Sequence, residues 1–209
     1  IPVMEMKEKT TLKTLKTRER EARIQMIMDA AERVFATTPF DRASMREIAK
    51  EAGMAPSSIY RYFPNQEALF TEIVMRNQVG LNRILDRSIE KSDVENAPGN
   101  LVRTFITFIA ENDTYFRMMT ILMSQGSLNR ETSRKIIPVM NDTLDVLERL
   151  LAKIHYTDNP RLMARFLFSA LTGIVVAYNK LPDRNTGKIV GLMKDVGDVV
   201  EKLLHGLAK

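Results

Sequence analysis

Within residues 44–65 the chain carries a helix start, a helix stop and a second helix start in close succession, and few folds accommodate that spacing. Ser44-Met45-Arg46-Glu47 is a capping box, in which the serine hydroxyl accepts from one free N–H of the first turn and the glutamate reaches back to another. The helix so begun runs through Ile48 and Ala49 to Ala52 and stops at Gly53, which takes the left-handed conformation at no steric cost. Three residues on, Pro56 suits the first position of a new helix, because the N–H it lacks would have had no intrahelical partner. That helix is predicted over about 56–63 and is closed by Pro64. Asn65 then caps a long fourth helix through Leu69, Phe70, Ile73, Val74, Leu81 and Leu85. Two short helices joined by a tight glycine turn cross steeply, the geometry that lays the second in a DNA major groove with the first across the backbone.

The remaining segments repeat their apolar residues at the helical period, and no alternation is long enough to demand a strand, so the predicted fold is all-α. Ahead of the motif, a helix from Thr17 presents Ile24, Met28, Ala31, Val34 and Phe35 on one face and ends before Thr37-Thr38-Pro39. Residues 91–100, with Pro98-Gly99, read as a loop. Beyond them helices are expected at about 101–111, 114–125, 129–155 with a kink near Pro138, 160–181 and 187–207.

The formal charge of +5 favours a polyanionic partner. The chain has no cysteine, which removes disulfides, thiolate metal sites and cysteine nucleophiles. His155 and His205 stand far apart in no metal-ligand spacing, so neither a metal nor another cofactor is expected, and His155 reads as a helix C-terminal residue favourable to the helix dipole. No nucleophile–base pair or phosphate loop is found at a meaningful spacing, which argues against an all-α enzyme using a pocket in the C-terminal part. The apolar stretch 166–178 falls short of the roughly 20 residues that cross a bilayer. With no secretory signal at the N-terminus, the expectation is a cytoplasmic protein without a membrane partner.

Ile48, Ala49, Ile59 and Phe63 supply an apolar seam for packing the helix pair against the helix before it. The opposite side then offers Ser57, Ser58, Tyr60, Arg61 and Tyr62 to a duplex. Hydroxyls here suit phosphates. Arg61 is the candidate base reader, since its fork can bond guanine O6 and N7 together, a contact worth about 1–3 kcal/mol in discrimination.

The stretch 18–69 strongly resembles the DNA-binding domain of the TetR family of transcriptional regulators. The resemblance rests on Ala30-Ala31 and Val34-Phe35, the run Met45-Arg46-Glu47-Ile48-Ala49, Ala52-Gly53 in the turn, and Ile59-Tyr60-Arg61-Tyr62-Phe63. It implies that Ser44, Tyr60 and Tyr62 touch phosphates and that Pro56, Ser57, Ser58 and Arg61 face the groove. Residues 1–17, with lysines spread through them, read as a flexible basic arm. The resemblance further implies a helix-turn-helix domain over 18–69 whose fourth helix continues to about 90, and an effector-binding and dimerisation domain over 70–209. The implied partners are a palindromic double-stranded DNA operator, a second copy of the chain and a small apolar or amphipathic effector whose entry releases a repressor. A ligand-independent architectural DNA-binding protein is the alternative. Three positions depart from the family pattern: Ala55 replaces a small polar cap, Pro56-Ser57 replace a lysine and a glycine, and Gln66 replaces a lysine. Fewer phosphate contacts are therefore expected from the third and fourth helices, with Lys7, Lys9, Lys13 and Lys16 of the arm reaching backbone or minor groove instead.

In the C-terminal part, aromatic and thioether side chains at Phe105, Phe108, Phe116, Met119, Met123, Met140, Phe166 and Tyr178 are candidates to line an effector cavity, with ordinary core packing as the alternative. The last helix carries a broad apolar stripe, and the helix before it is apolar almost all round. Ser169, Gly173 and Ala177, spaced by four, would admit a close neighbour, and with Met193, Val196, Val200, Leu203 and Leu204 they form the candidate interface of a dimeric four-helix bundle.

Overall fold

The computed structural model describes residues 2–124, 130–178 and 187–207, with side chains described over 14–122, 130–174, 176–177 and 190–206. Every regular element among them is a helix: α1 (Pro2–Thr37), α2 (Met45–Glu51), α3 (Pro56–Ile59), α4 (Gln66–Lys91), α5 (Ala97–Glu111), α6 (Asp113–Ser124), α7 (Arg130–Lys153), α8 (Pro160–Tyr178) and α9 (Gly187–Leu207). The all-α expectation holds. The chain divides into two compact units, Ile1–Ile73 and Val74–Lys209, with the division falling inside α4.

In the first unit, α1 begins at Pro2, earlier than the start at Thr17 expected from sequence. The cause is compositional. Lys, Glu, Met, Leu and Thr follow Pro2 with no glycine or further proline, which favours helix, yet no apolar stripe announces it. Residues 14–23 are exposed on every side, and burial starts with Ile27, Met28, Ala30, Ala31 and Phe35. These meet Ile48 and Ala49 of α2, Ile59 and Phe63, and Leu69, Phe70 and Ile73 of α4 in one core. Phe35, Phe40 and Phe70 close it as a ring cluster with centroids 4.5–5.8 Å apart, two of the three pairs edge-on, the favoured arrangement of ring quadrupoles.

In the second unit, α5 packs against α9, and α7 and α8 pack against each other. The loop expected over 91–100 is shorter than its composition suggests. Pro98 and Gly99 lie in the first turn of α5, where a missing N–H costs nothing. The chain also ends α7 without glycine: His155 takes φ +61°, with His155 N donating to Ala152 O at 3.1 Å and Tyr156 N to Leu151 O at 2.9 Å.

Gly197 lets α9 approach α5, since a Cβ there would stand 2.6 Å from Val102 Cγ1 and 2.7 Å from Ile106 Cδ1. We expect Gly197→Val to destabilise this unit by about 1–3 kcal/mol through overpacking, measured as the shift in urea midpoint. An unchanged midpoint would mean that the α5–α9 contact is looser than described.

The same unit holds a buried polar cluster. The Tyr115 hydroxyl donates to Gln78 Oε1, and Gln78 Nε2 donates to Asn82 Oδ1 at 3.1 Å. Thr143 Oγ1 lies 3.0 Å from both Asn82 Oδ1 and Val139 O. Burial pushes the Tyr115 phenol up, so it remains a neutral donor.

Candidate nucleic-acid interface

The first unit positions its outward-facing side chains through three local devices that the sequence encodes. Ser44 N donates to Glu47 Oε2 at 2.8 Å while Glu47 N donates to Ser44 Oγ at 3.2 Å, so the capping box fixes the start of α2. The stop is a Schellman turn: Gly53 takes φ +64°, Gly53 N donates to Lys50 O at 3.1 Å, and Met54 N donates to Ala49 O at 2.8 Å. Pro56 then opens α3 with Ala55 extended before it and no side-chain cap.

The α3 helix is shorter than expected. Regular α geometry covers Pro56–Ile59, and residues 60–62 continue it as a tighter turn, with Arg61 N donating to Ser58 O at 3.3 Å and Tyr62 N to Ile59 O at 3.0 Å. Proline at 64 cannot extend the ladder, so the last turn contracts to three-residue spacing.

Ile59 is fully buried and Phe63 nearly so, which turns the remaining side chains outward. Pro56, Ser57, Tyr60 and Arg61 are exposed, Tyr60 by 52%, and Ser58 and Tyr62 are half-buried. Six of the seven sequence-derived candidates therefore share one accessible surface. Ser44 differs: its hydroxyl proton is directed at Glu47 Oε2, 2.9 Å away, so a phosphate contact there would require giving up that bond. The departure at Gln66 has a structural cause, because its Nε2 donates to Phe40 O at 2.8 Å and ties down the connection between α1 and α2.

Sequence reading names Lys16 but misses Arg20 and Arg23 beside this surface. A cleft of about 370 Å³ in the first unit is lined by Lys16, Glu19, Arg20, Arg23, Arg61 and Tyr62. Glu19 Oε1 lies 2.8 Å from Arg23 Nη2, and this hydrogen bond, followed by the influence of Tyr62, holds the Arg23 guanidinium in its charged form. The signal was present as Lys16, Arg20 and Arg23 at i, i+4 and i+7 spacing, which puts them on one helical face.

In the second unit the effector candidates separate. Phe105 and Phe116 are core, Phe108 and Met119 are half-buried, and Met140 and Phe166 are exposed. The side chains of Met123 and Tyr178 lie outside the described ones. Phe108 stacks edge-on to Tyr115 at 5.7 Å and borders an open groove with Ile84, Ser88, Lys91, Arg103 and Thr104. Among the described residues no group of histidines and carboxylates is placed to hold a metal, and no helix is long and apolar enough to cross a membrane.

The interface candidates also sort by exposure. Ser169, Gly173 and Ala177 of α8 are exposed, and a Cβ on Gly173 would meet nothing within 4 Å. On α9, Met193, Val200 and Leu204 are buried in the protomer's own core, whereas Leu192, Val196, Val199 and Leu203 are open. The helix carries two apolar stripes, and hydrophobicity alone does not say which faces inward. Leu162, Phe166 and Val176 extend the exposed apolar surface along α8.

Structurally this is a helix-turn-helix domain followed by a larger helical unit. Residues 27–73 match the family described as bacterial regulatory proteins, tetR family. The chain is 30% identical over 103 residues to an uncharacterized HTH-type transcriptional regulator of Haemophilus influenzae, a match covering 48% of this chain and 50% of that protein. The fold matches the crystal structure of a TetR-family regulator from Mesorhizobium loti at TM-score 0.73 and 19% identity, over 88% of this chain and 96% of the other. It also matches the regulator FadR from Bacillus subtilis in complex with stearoyl-CoA at TM-score 0.69 and 20% identity, over 84% and 96%.

Proposed function

We propose that the protein is a sequence-specific DNA-binding transcriptional regulator that acts as a homodimer and represses until a small apolar or amphipathic effector is bound. The observation that carries the reading is the tetR-family helix-turn-helix with Ser57, Tyr60 and Arg61 exposed around a buried Ile59. Two such elements must be presented together to read a palindrome whose half-sites lie roughly 34–36 Å apart. The open stripes on α8 and α9 supply a surface for that pairing, because a protomer leaving Phe166, Val199 and Leu203 in water gains by burying them against a copy. The effector class draws support from the stearoyl-CoA complex of the fold relative.

In this reading Tyr60, Tyr62 and Ser57 hold phosphates, Ser58 and Pro56 approach the groove wall, and Arg61 reads a base. Selection of bound duplexes from a random pool tests it, followed by screening acyl-chain and aromatic compounds for release of the selected site. Arg61→Ala should lower affinity for the selected site about 5–150-fold, by about 1–3 kcal/mol, and flatten the preference at particular base positions. A loss equal on all sequences would reassign Arg61 to phosphate.

A further inference from the structure

The stretch 14–23 of α1 lies outside the core of its own unit. Residues 14–23 are all exposed, so this length of helix gains no stability from a core. A helix that is polar all round needs another reason to be there. Its side chains supply one, because Lys16, Arg20 and Arg23 converge with Arg61 around the cleft, four cations against the single carboxylate of Glu19. Glu19 engages Arg23, while Lys16, Arg20 and Arg61 have no ion-pair partner among the described residues. Cations gathered in a concavity focus a positive potential there, which attracts an anion.

Arg61 belongs at once to this cleft and to the surface that faces the groove, so the anion must lie beside the bases read by α3. From Lys16 to Arg23 the helix rises roughly 10 Å, about three phosphates of one DNA strand measured along the duplex axis. We propose that Lys16, Arg20 and Arg23, beside the base-reading Arg61, grip the phosphate backbone flanking the half-site and add affinity that does not depend on sequence. This rests on the DNA-binding reading above. It also identifies what replaces the cations lacking at Pro56 and Gln66: the charge has moved from α3 and α4 to α1. In the sequence, Lys9 and Lys13 continue the spacing of Lys16, Arg20 and Arg23.

The test uses the full chain, a duplex recovered by selection and a random duplex of equal length, with affinity measured by fluorescence anisotropy between 50 and 200 mM salt. In the Lys16→Gln, Arg20→Gln double variant, the slope of log affinity against log salt should become shallower by about 0.9 per charge removed, hence about 1.8 per subunit. Both duplexes should weaken by the same factor, leaving their affinity ratio unchanged. Glu19→Gln, which frees Arg23, should tighten binding to both. Since these side chains are exposed, the circular dichroism spectrum and melting midpoint should not move. An unchanged salt slope, or a loss confined to the selected duplex, overturns the inference while leaving the regulator reading intact. A wild-type chain that binds neither duplex at low salt overturns that reading, and this one with it.

Discussion

Replacing Val199 and Leu203 together by glutamate should convert the protein into a folded monomer whose operator affinity is lower by about 10²–10⁴-fold. Both side chains are about half exposed in the single chain, at 54% and 55%, so charging them leaves the buried core in place. In a dimer they would sit in the apolar centre of the paired helices, where a carboxylate without a partner is costly to desolvate. The fall follows from losing the second tethered half-site contact, which multiplies binding without adding any new contact within either half. Sedimentation gives the oligomeric state and anisotropy the affinity. A variant that still dimerises would place the interface elsewhere. A variant that becomes monomeric yet binds as tightly would remove the requirement for a pair.

Ile59→Ala should abolish specific binding without touching any exposed side chain of the α3 surface. The isoleucine is fully buried beneath Tyr60 and Arg61 in sequence, and deleting its outer carbons leaves a cavity in a small core, at a cost of about 2–5 kcal/mol. In a domain of this size that is a large share of the whole stability. Hydrogen exchange should show faster opening of 45–63 with 146–154 unaffected. Retained protection at 45–63 would mean that the core around Ile59 repacks, and the turn after α3 would then owe its shape to Pro64 and Gly53 instead.

The helix-turn-helix was legible because its determinants are local. Ser44 with Glu47, Gly53 and Pro56 each act within a few residues, and the capping box, the left-handed turn and the first-turn proline all appear where chemistry assigns them. Elements without a local signature were misread. The early start of α1 leaves no apolar periodicity, and Pro98-Gly99 carries the composition of a loop but serves as a helix start. On α9 the outcome depended on partners far along the chain. Val200 and Leu204 turn inward while Val199 and Leu203 stay outside, and four aliphatic residues within one turn and a half do not reveal which pair meets α5. The cation cleft is not legible in the sequence for a related reason: Arg61 and Lys16 are neighbours only after α1 and α3 have folded onto the same unit. Phe105 and Phe116 were read from residue type, which does not separate a cavity wall from solid core.

The cluster of Gln78, Asn82, Tyr115 and Thr143 limits how the second unit can change state. Greasy surfaces slide over one another at little cost, but here α4, α6 and α7 are keyed by hydrogen bonds that match at one alignment. Shifting one of these helices by a fraction of a turn would strand donors and acceptors away from water, at about 1–3 kcal/mol for each group. Intermediate positions are thereby penalised, which favours rearrangement of these three helices between discrete alignments over gradual sliding.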